Sequence, residues 1–419
     1  MQRPVASCGG GARTRPERDA SLARRGVALL ALTLVSAALA AALFLLVVML
    51  IEGWRRSPGE AALIVTAMPL AALVAGRWAR DEHRLGPALP GCVLLAGGLA
   101  ALGWLPQTGA QWTIAPQLAI GAGLGLALGA LIGVSVAAGG DGAVARSAAW
   151  TIAARHAGIV AGLLLLTPIF QADLDGAREP AERAGLARVL DSPIDLKAKI
   201  ALARSLDREI TGAADQQLPD LAAAFDGADL PAGERADAAR LRASLEGELD
   251  RAATSAFSRS FLAAALLALL AAGVLAPALL LERGRSATVF AVAAAAAVAT
   301  ALAGAHVALG GRDHGPTATA DPCAQRARPA GVDRTQLTLL ATLDGGACRL
   351  RLPREDLLLT LLSRRNPAGV SDGELGDALG AGVDRAQREG ALPGFAATLL
   401  RFALKTGGPT ALIGRLLNG

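Results

Sequence analysis

Apolar residues in this chain fall in long blocks separated by polar segments. A helix needs ~20 apolar residues to cross a hydrocarbon core of ~30 Å. Acid-free windows approaching that length occur at residues 28–51, 61–76, 88–105, 114–139, 148–170, 261–281 and 287–310. The expectation is seven membrane spans, of which the second is the shortest and reaches full length only with its flanking residues. Arginines precede the first block as they would a signal peptide, but its apolar run is about twice a normal h-region, so it reads as a retained span.

The polar segments also have a pattern. Residues 171–258 hold 17 acids and 11 bases. Apolar positions spaced by three and four at 195–210 and 234–253 predict amphipathic helices there, with breaks expected near Pro180, Pro193, Pro219 and Pro231. The tail, residues 311–419, opens on a Gly/Pro/Thr stretch and then turns helical. Ser371 with Glu374 has the spacing of a capping box, and Asn366-Pro367, Gly390 to Gly394 and Gly407-Gly408-Pro409 mark breaks. The expected division is a basic tail (1–26), helices one to five (27–170), an acidic helical insertion (171–258), helices six and seven (259–310) and a small helical domain (311–419).

Composition agrees with the block pattern and narrows the class. Hydrophobic residues make up 53% of the 419 and charged ones 18%, with a mean hydropathy of +0.43. Disordered chains are too polar to match this, and disulfide-dense miniproteins carry more than four cysteines per chain of this size. The net charge of +5 does not point to nucleic acid, because the arginines flank the spans. Arg13, Arg15, Arg18, Arg24 and Arg25 precede the first span; Arg77, Arg80 and Arg84 follow the second; Arg283 and Arg285 follow the sixth. These ends belong in the cytoplasm by the positive-inside rule. That puts the N-terminus inside a cell membrane and, with seven spans, the insertion and C-terminal domain outside. Cys323 and Cys348 would then share an oxidising compartment, and a disulfide between them would staple the tail.

The loop after the second span reads Gly76-Arg77-Trp78-Ala79-Arg80-Asp81-Glu82-His83-Arg84-Leu85-Gly86-Pro87. It resembles the cytoplasmic signature of the major facilitator superfamily, which lies between the second and third helices of a six-helix half. Trp54 to Ala62, Met68-Pro69-Leu70, the glycine-rich fourth span from Ile120 to Gly129, and Ala154-Arg155-His156-Ala157-Gly158 with Gly162 are similar to the C-terminal half of that superfamily's drug:proton antiporters. The resemblance covers residues 28–170 and 259–282. It implies an all-α membrane fold, a six-helix transporter-like half plus a seventh helix. It also implies transport or gating roles for Gly76, Arg77, Arg80, Asp81, Arg84, Gly86, Arg155 and His156, with Asp81 as the acid of a charge relay.

The residues themselves add further expectations. Gly121, Gly125, Gly129 and Gly133 recur every four residues, the spacing that lets helix backbones approach, and no strand or acid accompanies them as a dinucleotide loop requires. Arg155 and His156 are ionisable groups well inside a span, where charge is costly and kept for function or paired; His306 lies nearer an outer end and reads as interfacial. No span contains Asp or Glu, although proton-coupled transport commonly uses a buried carboxylate. Neither nucleotide-binding, metal-ligand nor nucleophile motifs occur, so no enzyme, cofactor or metal is expected. Two functions remain in view. One is efflux of small organic solutes, with a homodimer or a second transporter half completing the conduit within the lipid bilayer. The other is a non-transporting scaffold or sensor whose outer segments bind a partner.

Overall fold

Pro87 and Pro106 bracket the third apolar run, and the helix built from it is the shortest of the expected spans that forms a single helix. The computed structural model describes residues 15–77, 84–136, 141–212, 221–228, 231–280, 285–324, 331–361 and 369–407, and every regular element among them is helical. They divide into two compact units, Met1–Leu174 with Ala256–His314, and Asp175–Ser255 with Gly315–Gly419.

The first unit contains α1 (Arg15–Val48, prolonged by a π-helical turn, Met49–Gly53), α2 (Pro58–Val65), α3 (Ala67–Gly76), α4 (Ala88–Gly103), α5 (Ala110–Val136), the start of α6 (Asp141–Asp191), the end of α9 (Arg235–Leu280) and α10 (Arg285–Ala308). A capping box opens α2: Glu60 N–H donates to Ser57 Oγ at 3.3 Å and Ser57 N–H to Glu60 Oε2 at 3.1 Å. Six helices are long and apolar enough to cross a membrane: Leu22–Gly53, Pro58–Gly76, Ala110–Val136, Ala143–Asp191, Arg235–Ala278 and Ser286–Ala308. The third expected span forms a shorter apolar helix of 16 residues, ~24 Å at 1.5 Å per residue. Leu105 precedes Pro106 and so avoids helical backbone, and the helix has already ended at Trp104, with φ −119° and ψ 46°. Twelve of the 16 residues of α4 are buried, which places it among α5 and α10 rather than against lipid.

Small residues bring these helices together. A Cβ on Gly91 would fall 2.6 Å from Gly123 O, one on Gly98 2.7 Å from Pro116 O, and one on Gly97 2.7 Å from Ala299 Cα. Larger side chains such as Leu32, Leu45, Met49, Leu95, Leu99 and Phe261 fill the rest of the core.

The second unit holds the remainder of α6 and α9 with α7 (Leu196–Gly212), α8 (Leu221–Asp226), α11 (Arg334–Leu350), α12 (Arg354–Leu361), α13 (Asp372–Arg388) and α14 (Gly394–Gly407). One apolar cluster is built by Val189, Ile194, Leu202, Leu221, Phe225 and Leu241. A second joins Leu190 to Leu340, Leu343, Leu357, Leu375 and Leu379, so the insertion and the tail share a core. Pro180 does not break its helix as expected; α6 runs through it for 51 residues. Helix breaks do fall beside Pro193 and Pro231, while Pro219 lies outside the described residues.

Candidate functional site: the open face of α6 and its surroundings

The membrane segment of α6 packs along one narrow stripe. Ser147, Thr151, Gly158, Gly162 and Leu166 are buried, and the two hydroxyls are satisfied within the helix, Ser147 Oγ donating to Ala143 O at 2.6 Å and Thr151 Oγ1 to Ser147 O at 2.9 Å. Gly158 lies directly against the Thr33 carbonyl of α1, and a Cβ on Gly162 would sit 2.7 Å from Ala37 O. The rest of the helix circumference is open. Only 17% of its most apolar window is buried, and Trp150, Ile152, Val160, Leu164 and Leu165 are all exposed.

Arg155 and His156 lie on that open side. The His156 ring nitrogen Nδ1 is 2.9 Å from Ile152 O, one turn back. Neither side chain forms an ion pair among the described residues. Hydrocarbon is a poor neighbour for a guanidinium, so this face suits water or another protein surface better than lipid.

The loop from Gly76 to Pro87 is described at its two ends. Gly76 closes α3, and the Arg77 N–H donates to Val74 O at 3.3 Å. Arg84 is exposed, Leu85 is fully buried, and a Cβ on Gly86 would meet Thr288 Oγ1 of α10 at 3.4 Å. Arg80 and Asp81 lie outside the described residues. The structure does bring Gly76 and Gly125 together: a Cβ on Gly125 would fall 2.8 Å from Gly76 N, and both Gly121 and Gly125 press on carbonyls of α3, those of Met68 and Ala72. Gly123 turns to α4 instead, 2.7 Å from Leu95 N by the same measure. Gly129 has nothing within 4 Å of its Cβ position, and Gly133 is half-buried.

One buried acid of this unit was not legible in the sequence. Asp173 lies just past the expected end of the fifth span, but α6 continues and buries it, with Arg259 Nη1 donating to Asp173 Oδ1 at 3.3 Å. Phe170 and Phe257 stack one turn away, centroids 4.7 Å apart. The usable signal was an acid three residues beyond an apolar run, with an arginine at the mirrored position before the sixth span. His306, expected at an interface, is buried at the end of α10, with Nδ1 2.8 Å from Ala101 O and its ring edge-on to Trp112.

Charge is concentrated in the second unit. Glu248, with its side chain 2% exposed, accepts hydrogen bonds from Arg188 at 3.0 Å, Arg251 at 2.6 Å, and Thr317 through its N–H (3.0 Å) and hydroxyl (2.6 Å). Burial pushes this carboxyl up, but the Thr317 and arginine hydrogen bonds outweigh it and hold the group down at about 2. Burial pushes Lys199 down to about 8; its ammonium donates to Leu190 O at 2.8 Å and Gln336 Oε1 at 3.1 Å. The Arg354 guanidinium, 1% exposed, pairs with Asp191 at 3.0 Å and Glu355 at 3.2 Å, and Arg183 with Asp356 at 2.7 Å. These bonds tie the end of α6 and α7 to α11 and α12. Cys323 and Cys348 form the expected disulfide. The three groups of titratable donors that a metal ion would need do not come together among the described residues.

Helical architecture and six long apolar helices define the class: an all-α protein suited to multi-pass insertion in a membrane. No family model matches the chain, and comparison with curated proteins and with solved structures finds no match either.

Proposed function

We propose that this chain is a transporter-type membrane protein, resembling one half of a major facilitator, and that it moves small organic solutes once a second copy or another half covers its open side. The observation that supports this most is the exposed face of α6. Arg155 and His156 lie exposed there, within an otherwise apolar segment that no element among the described residues covers on that side, where a water-lined path between two halves satisfies both the charge and the apolar surface around it. The N-terminus is cytoplasmic in this reading and the second unit extracytoplasmic, in keeping with the flanking arginines and with a disulfide that oxidising conditions preserve.

Proteoliposomes containing the purified protein should take up a cationic dye under an ion gradient, and Arg155→Ala or Asp81→Asn should reduce that uptake without lowering thermal stability in detergent. Uptake by none of the gradients tried, from a protein that is strictly monomeric in detergent and in the bilayer, would remove the proposal. A second reading, a membrane scaffold whose outer unit binds a partner, draws support from the shared core and cross-ties of the insertion and tail. It predicts that a phenotype persists in Arg155→Ala and is lost when the disulfide cysteines are replaced.

A further inference from the structure

The last described helix has two faces of different character. On one, Ala397 is fully buried, Leu404 packs with the apolar cluster of the second unit, and Arg401 donates to Asp384 Oδ1 at 2.5 Å, fastening α14 to α13. On the other, Phe395, Leu399 and Phe402 are 77%, 53% and 67% exposed. Their spacing of four and then three puts them within about 60° of one another around the helix. No acid occurs between Gly394 and Gly407, while Arg401 and the exposed Lys405 follow on one flank of the stripe.

We propose that α14 is an interfacial membrane anchor, laying Phe395, Leu399 and Phe402 into the headgroup region of an anionic bilayer with Lys405 at the phosphate level. Bulky apolar residues on one face with the exposed Lys405 at its edge suit the plane of a lipid interface, while Arg401 is held by Asp384. The chain's own spanning helices keep this unit tethered near lipid at high effective concentration, so a modest patch suffices. A second copy of the chain fits the stripe less well. Two aromatics at roughly 150–250 Å² each with one leucine fall short of the ~800 Å² per partner that a stable protein interface needs. The inference does not depend on whether the chain transports a solute.

The test uses full-length protein with Cys8→Ser, which leaves Cys92 buried and the other two cysteines paired. Leu399→Cys and, separately, Phe395→Cys are spin-labelled, with Asp377→Cys on the exposed side of α13 as the reference. Collision with oxygen and with a water-soluble nickel chelate is measured in nanodiscs of phosphatidylcholine alone and with phosphatidylglycerol added. The expected result is nickel accessibility several-fold lower at 395 and 399 than at 377 and oxygen accessibility higher, with the contrast widening in anionic discs and narrowing at high salt. Labels at 395 and 399 as open to nickel as 377 in both lipids would overturn the proposal. So would protection that is the same in detergent as in lipid and fades on dilution, which is the signature of a second copy.

Discussion

The two units of this chain solve the same problem, packing helices, with opposite materials. In the first, helices meet through Gly91 and Gly123, Gly98 and Pro116, Gly125 and Ala72, with backbone against backbone and few charges. In the second, Glu248, Lys199 and Arg354 reach Thr317, Gln336 and Asp191 across 69, 137 and 163 residues, and a disulfide joins cysteines 25 apart. The difference follows the solvent that each composition suits. Lipid tails are as apolar as leucine, so helices in a membrane gain little from burying large side chains and rely on close fit. A small helical unit in water has a limited apolar core and benefits from staples and satisfied buried ion pairs.

That contrast can be broken by mutation, and the largest effect is expected in the second unit. Arg354→Ala would leave Glu355, fully buried, without its guanidinium, at a cost of about 3–5 kcal/mol by the usual penalty for half a buried pair. Limited proteolysis of the second unit would report it, with the first unit left intact. Removing the disulfide by Cys348→Ser should cost ~2–4 kcal/mol through the freed chain segment, read as a lower midpoint for the same unit, and reduction of the wild type should reproduce it. In the first unit Gly125→Leu must displace the Ala72 carbonyl and should destabilise by about 1–3 kcal/mol, whereas Gly129→Ala, with open space at its Cβ, should be neutral or slightly stabilising. Equal losses at 125 and 129 in detergent melts would contradict the close-contact account.

A pH response is also expected in the second unit. Glu248 titrates near 4.5 when unfolded and at about 2 in the fold, so its contribution is complete above pH 4.5 and is lost as the pH falls toward 2. Lys199 acts in alkali: its folded value of about 8 lies below the ordinary 10.5, so the unfolded chain binds more protons between the two and stability rises with pH across that window. Glu248→Gln should flatten the acid limb alone, and proteolytic protection measured against pH would show it.

Most of the membrane architecture was legible in the chain because hydrocarbon imposes a one-dimensional rule. Any helix crossing it must be apolar for its whole length, whatever it touches, so acid-free blocks marked six of the long helices. The third block gave a shorter helix because a proline two residues past Trp104 ended it early. The continuity of α6 through Pro180 was hidden for a related reason. A proline removes one hydrogen bond, and whether a helix survives that loss is decided by what packs around it.

The site was legible in part. Arg155 and His156 stood out as ionisable groups in an apolar run, but the sequence could not say that α1 covers the opposite side of α6 and leaves theirs open. Asp173 and Glu248 were invisible as buried carboxylates, since Arg259 and Thr317, their partners, lie 86 and 69 residues away.

By itself, then, the sequence determined the membrane class, the number of long apolar blocks and the chemical types available, because burial in lipid depends on local composition. Only the tertiary structure decided which glycines touch, which charges are paired and which faces remain open. Those are outcomes of contacts between distant segments, and their energies depend on distance and enclosure rather than on order along the chain.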